Sequence, residues 1–174
     1  RRAYDLWAAL ERDSGRSLLR IVGGLILGRP VGVLVAGARR SVEEHGLPHG
    51  VLDAAEVRAR YPALRPDDGL VGLWEPRAGI LDPEACVAAH LAAAAAHGAS
   101  LRGDEPVLQW SADDDGVVVA TGRDRYRARR LILAAGPWLR SLVPDLRLPL
   151  TVERQVQFWF EPRREADTFA PERC

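Results

Sequence analysis

The run Leu131-Ile132-Leu133-Ala134-Ala135 is apolar at every position and leads directly into Gly136-Pro137-Trp138. A strand that does not alternate has two faces to hide, so this segment is predicted to lie inside a parallel or mixed sheet covered on both sides. An open antiparallel sheet wetted on one face cannot be the whole fold. Helices must supply the cover, and the sequence contains them. Asp82-Pro83-Glu84 is the strongest helix start in the chain, because Asp caps, Pro is preorganised at the first helical position and Glu faces the positive end of the dipole. That helix is predicted from Pro83 to His97, with an Ala-rich body suited to close packing on a sheet and Gly98 as its left-handed stop.

Other elements follow from periodicity. Ala3, Leu6, Trp7 and Leu10 recur at helical spacing, which predicts an amphipathic helix over residues 2–13 with Trp7 as a core anchor. Val31, Leu34, Val35, Ala38 and Val42 predict a second helix, stopped by Gly46 and Pro48, and Asp53 starts a third that ends near Tyr61. Leu18 to Leu27 reads as one buried strand interrupted at Gly23-Gly24, Leu70 to Trp74 as a short strand, and Glu75 to Gly79 as a tight connection. From Ala99 onward, Ser100–Arg102, Val107–Ser111, Val117–Thr121 and Tyr126–Ala128 are short β-rich runs. The turns Asp113–Gly116 and Gly122–Asp124 fold them into an antiparallel meander. Leu139 to Val143 is a turn of helix. Leu150 to Phe160 alternates Val152, Arg154, Val156, Phe158 and Phe160 against Thr151, Glu153, Gln155, Gln157 and Trp159, which predicts a long strand with one apolar-leaning face, in a different sheet from Leu131–Ala135.

Composition removes several function classes. Lys+Arg 24 against Asp+Glu 24 leaves a net charge of +0, so no overall field favours nucleic acid or an anionic membrane. The longest apolar stretch, Leu91–Ala96, is far short of the roughly 20 residues of a membrane span. Two cysteines, Cys86 and Cys174, form neither a disulfide framework nor a metal-ligand set, and a reducing cytoplasm is the expected compartment. With no initiating Met and an abrupt end at Cys174, the 174 residues read as a piece of a longer protein.

Few residues are placed for chemistry. Ligands in open α/β sheets sit beyond the carboxyl ends of strands, which makes Gly136 either a point of close ligand approach or a residue that turns the chain out of a sheet. His45, His49, His90 and His97 have no ligand spacing, and no metal site is expected. Five Arg between Arg123 and Arg130 read as a solvated hairpin face, and Asp113 to Asp115 as turn residues. Alternation turns one of Arg154 and Gln155 inward without saying which.

The chain resembles the monomeric sarcosine oxidase and N-methyl-amino-acid oxidase branch of the FAD-dependent amine oxidoreductases. The resemblance is carried, in order, by the first helix, Gly24-Leu25-Ile26-Leu27-Gly28, Leu52-Asp53-Ala54-Ala55-Glu56-Val57 before Tyr61-Pro62, Glu75 to Pro83, and Leu131 to Trp138. It implies an α/β (α+β) fold: part of a Rossmann-like FAD-binding domain with a β-meander, plus part of an antiparallel-sheet substrate domain. Residues 1–15 and 82–148 are then expected in the FAD domain, and residues 16–81 and 149–174 in the substrate domain. FAD is the implied cofactor, with the Val107 backbone at its adenine side and Ala134, Ala135, Gly136 and Trp138 near it where the last strand ends.

The departures from the family pattern are equally definite. The family's Gly-x-Gly-x-x-Gly turn, whose backbone amides hold the pyrophosphate, is expected before residue 1, since no such spacing occurs in the 174 residues. The family's flavin-linking cysteine and oxygen-activating lysine are expected downstream of this segment, since the 174 residues contain no Lys and neither Cys86 nor Cys174 matches. Catalytic residues are therefore not assigned. The expected reaction of the intact protein is oxidation of a small secondary or tertiary amine, such as an N-methyl amino acid, to an imine. The alternatives are a dehydrogenase that passes electrons to a carrier, and a non-catalytic module that has lost its flavin.

Overall fold

The structure is a computed structural model that describes residues 2–146, 148–164 and 166–170. The chain forms two compact units, one comprising residues up to Ala99 and the segment from Phe160 onward, the other Ser100–Trp159. Among the described residues no helix is long and apolar enough to cross a membrane.

In the first unit, α1 (Arg2–Ser14) lies against α4 (Pro83–Ala96), and Trp7, Leu10 and Ala85 close over a core of Leu18, Cys86 and Ala89. Trp7 is the anchor that its spacing predicts, with His90 edge-on to its ring at 5.7 Å. The Glu11 carboxylate accepts from the backbone amides of Leu18 (2.6 Å) and Leu19 (3.0 Å), and the Asp82 amide donates to the Leu18 carbonyl at 3.1 Å. The Leu19 and Leu18 amides hold the Glu11 carboxyl below its ordinary range, and both helices are thereby joined to the start of the first strand.

Five short strands follow: β1 (Leu19–Ile21), β2 (Gly24–Gly28), β3 (Gly50–Asp53), β4 (Val71–Glu75) and β5 (Gly79–Leu81). All pairings are antiparallel, β1 with β5 in one ribbon and β2-β4-β3 in a three-stranded sheet. The single strand expected over Leu18–Leu27 is thus two strands in two sheets. Gly23 is the reason: its φ of +84° turns the chain, and the Trp74 indole nitrogen stands 2.9 Å from the position a Cβ would take. The Val22 and Gly23 amides both donate to the Ala78 carbonyl, fixing the break. β3 and β5 were not expected. Gly79 lies so close to the Arg20 carbonyl that only glycine fits, a long-range fact that local pattern does not contain.

Two helices pack on the three-stranded sheet. α2 (Val33–Glu44) buries Val35 and Val42, and Val35 sits against Gly28. α3 (Ala54–Arg60) carries fully buried Val57 against Gly72 and begins in a complete capping box: the Glu56 amide donates to Asp53 at 2.8 Å and the Asp53 amide to Glu56 at 2.8 Å. Arg60 lies 4.0 Å above the Trp74 ring, which clasps the end of α3 to β4.

The second unit contains the predicted meander, β6 (Val107–Asp113), β7 (Gly116–Thr121) and β8 (Arg125–Ala128), in the order β6-β7-β8. A 3-10 turn at Gly136–Trp138 then leads into the short helix α5 (Leu139–Leu142). Three expected strands are absent. Among the described residues, Ser100–Arg102 and Leu131–Ala135 belong to no strand, and Leu150–Phe160 is exposed throughout and likewise belongs to no strand. Apolar patterning states what a segment can bury, and a ladder needs in addition a neighbouring strand in register. The expected placement of the last two in different sheets consequently meets no sheet at either. Ile132 is 89% exposed, the opposite of the burial its apolarity predicts.

The capping box gives a direct expectation. Asp53→Ala removes one acceptor and the register of the other, and should cost about 1 kcal/mol in urea unfolding, whereas Asp53→Ser should retain most of the stability. Equal losses in the two variants would show that the cap does not hold α3.

Candidate functional site

An apolar cleft of about 480 Å³ opens in the second unit between the meander and the segment that follows it. Pro106, Val107 and Val119 form one wall, Leu131 to Ala135 the other, and Trp138, Ser141 and Leu142 close the end. Val107 begins β6 at an irregular step in the ladder, where the register shifts between Val107 and Gln109. Along the opposite wall, burial alternates: Leu131, Leu133 and Ala135 are half-buried, Ile132 and Ala134 exposed. The segment therefore keeps the two-residue period of a strand while lacking one.

Of the five residues expected near a cofactor, the cleft brings together Val107, Ala134, Ala135 and Trp138. Gly136 stands outside the lining. It adopts a φ of +52° in the turn that carries the chain from the wall into α5, and nothing lies within 4 Å of the position a Cβ would take. Two hydrogen bonds shape the closed end. The Ser141 hydroxyl donates to the Trp138 carbonyl at 2.6 Å, and the Trp110 indole N–H reaches across to the Leu142 carbonyl at 2.7 Å. Sequence reasoning did not single out Trp110, Val119, Ser141 or Leu142. The available signal for Trp110 was its place on β6 opposite Val119, on the face toward the cleft.

The lining carries no charged side chain. Such walls suit the flat face of an apolar ring and exclude water from it, but have nothing to hold a phosphate. A polar cluster lies elsewhere in the unit: Glu105 accepts from the Thr121 hydroxyl at 2.7 Å and the Tyr126 hydroxyl at 2.8 Å. The Thr121 and then the Tyr126 bond hold the Glu105 carboxyl below its usual range, with Arg123 and Arg102 adding to the effect, while the neighbouring carboxylate raises the Tyr126 phenol. Arg127 grips Asp113 with both guanidinium nitrogens, at 3.2 and 3.0 Å, and lowers the Asp113 pKa. Asp113 also accepts from the Asp115 amide at 3.0 Å, the turn role expected of it. Arg123, Arg125, Arg129 and Arg130 are exposed, as are both Arg154 and Gln155. Among the described residues no group of His, Cys, Asp and Glu is arranged to hold a metal ion.

Residues 1–173 match the family described as FAD dependent oxidoreductase (DAO). The chain belongs to this family. It is 43% identical over 171 residues to the monomeric sarcosine oxidase of Streptomyces avermitilis, covering 98% of this chain and 44% of that protein. The N-methyl-L-tryptophan oxidase of Escherichia coli K12 is 32% identical over 161 residues, 92% of this chain and 43% of that one. Among solved structures, the open form of NikD, an amino acid oxidase essential for nikkomycin biosynthesis, superposes with a TM-score of 0.73 at 31% identity, covering 82% of this chain and 37% of NikD. The chain thus spans less than half the length of the DAO relatives it matches. Its mixed α/β architecture with antiparallel sheets is that of this family.

Two outcomes follow from these placements. Gly136→Ala forces a Cβ into a left-handed backbone and should cost about 1–2 kcal/mol in urea unfolding, while Gly136→Asn should cost less. Equal stability of the Ala variant would contradict the left-handed turn. Because the folded pKa values of Glu11, Glu105 and Asp113 lie below their ordinary values, the stability they contribute is fully present above the unfolded carboxyl range near pH 4. It is lost as pH falls through the folded values. Glu105→Gln should lower stability at neutral pH and flatten the acid limb of a stability-versus-pH curve, and an unchanged acid limb would show that Glu105 is not held as described.

Proposed function

We propose that this chain is the cofactor-facing middle part of an FAD-dependent enzyme that oxidises a secondary or tertiary amine, such as sarcosine or another N-methyl amino acid. The product is an imine, which water hydrolyses. The observation that carries this reading is the cleft: it joins Val107 to Ala134, Ala135 and Trp138, residues from separate parts of the sequence that the resemblance to sarcosine oxidase associates with FAD. The lining fits the ring faces of FAD and does not fit its pyrophosphate, in keeping with the lack of a Gly-x-Gly-x-x-Gly turn.

In this reading residues 1–15 and 82–148 belong to the FAD domain and residues 16–81 and 149–174 to the substrate domain. The Val107 backbone meets the adenine side, and Ala134 to Gly136 with Trp138 lie beside the cofactor. Bound FAD supplies the acceptor for the hydride that leaves the carbon next to the amine nitrogen. The contribution of this chain's residues is physical. Val107, Val119, Leu133 and Trp138 exclude water from the cofactor's apolar face, and the left-handed Gly136 lets the chain turn away at the end of the wall. Two cysteines in 174 residues favour the cytoplasm as its compartment.

The intact protein tests this directly. It should be yellow when purified, and anaerobic addition of an N-methyl amino acid should bleach the visible flavin band, with the corresponding primary amino acid far slower. A colourless protein that takes up no added FAD would leave a non-catalytic binding module, and bleaching by primary amino acids alone would overturn the substrate class.

A further inference from the structure

The cleft is bounded by segments far apart in sequence, and one side chain joins them. Trp110 lies on β6 directly opposite Val119, which lies opposite Tyr126 on β8, so the indole stands on the face of the meander that Val119 presents to the cleft. Its N–H donates at 2.7 Å to the carbonyl of Leu142, the last residue of α5. That carbonyl is one of those a helix end leaves without an internal partner, and a helix of four residues has too few internal bonds to persist alone. Among the described residues this is the single hydrogen bond linking the meander to the stretch from Arg129 to Leu146. Trp138, Ser141 and Leu142 line the cleft, whereas Trp110 does not.

We propose that Trp110 is a positioning residue for the cofactor cleft, its indole N–H capping α5 and so fixing the wall that carries Trp138 and Leu142 against the meander. The inference rests on the proposed FAD site but concerns a residue that touches no ligand. Without the bond, α5 frays, the end of the cleft opens, and the apolar face it should cover is wetted.

Two variants of the intact protein separate the hydrogen bond from the packing. Trp110→Phe keeps an aromatic ring and loses the donor; Trp110→His loses the benzo ring but retains an N–H at the corresponding ring position. The Phe variant should raise the FAD dissociation constant about five- to tenfold, read by flavin fluorescence, with the His variant closer to the parent. In the flavin-free protein, hydrogen exchange at the Trp138 and Val143 amides, which donate to Ala135 and Leu139, should quicken in the Phe variant alone. Unchanged FAD affinity in the Phe variant, or equal weakening in both, overturns the proposal. Should the parent protein bind no FAD, the function proposed above fails, and exchange rates still decide whether Trp110 holds α5.

Discussion

Five consecutive apolar residues, Leu131 to Ala135, pair with none of the described strands and line the cleft of the second unit. Among the described residues Leu131 to Ala135 has no ladder, its burial alternates along the segment, and it lines the cleft across from the meander. The cleft is the consequence. Its one wall is built from β6 and β7, and its other wall is irregular chain followed by the turn through Gly136 and the Trp110–Leu142 bond. An apolar surface of this kind is costly in water, and a flat apolar ligand between the walls removes that cost. The polar tie of Glu105 to Thr121 and Tyr126 stabilises the sheet side from outside the cleft.

The first unit solves a different problem, that of joining helices to very short strands. β1 and β5 have three residues each, too few to persist as an isolated ribbon. Glu11 from α1 and Asp82 at the start of α4 both bond to Leu18 or Leu19, so the ribbon is held by the two helices that pack over it. Asp82 also caps α4 through the Ala85 amide at 2.9 Å. One residue thus begins the helix and ties it to the sheet, which explains why the strongest local signal in the sequence lies at a junction between elements.

Much of this was legible in the sequence wherever the determinant was local. Asp53, Asp82 and Gly98 mark helix ends because capping and left-handed stops act within a few residues, and the Gly-containing turns at Gly116 and Gly122 delimit the meander for the same reason. Leu18–Leu27 was misread because apolarity continues through Gly23 while the backbone turns there, a fact set by Trp74 and Ala78 more than fifty residues away. Leu150–Phe160 and Leu131–Ala135 carry the pattern of strands, but pattern states what a segment can bury and not which edge will bond it. Four of the cleft residues were named through family resemblance, whereas no chemistry in their side chains marks them. Trp110 escaped notice because its partner is a backbone carbonyl 32 residues on.

A crystal structure of the intact protein with FAD bound tests the role of the cleft most directly. The prediction is that part of the cofactor's ring system lies against Val107, Ala134, Ala135 and Trp138, with its pyrophosphate held by backbone outside these 174 residues. A cleft filled instead by protein side chains, with FAD bound away from all four residues, would contradict it.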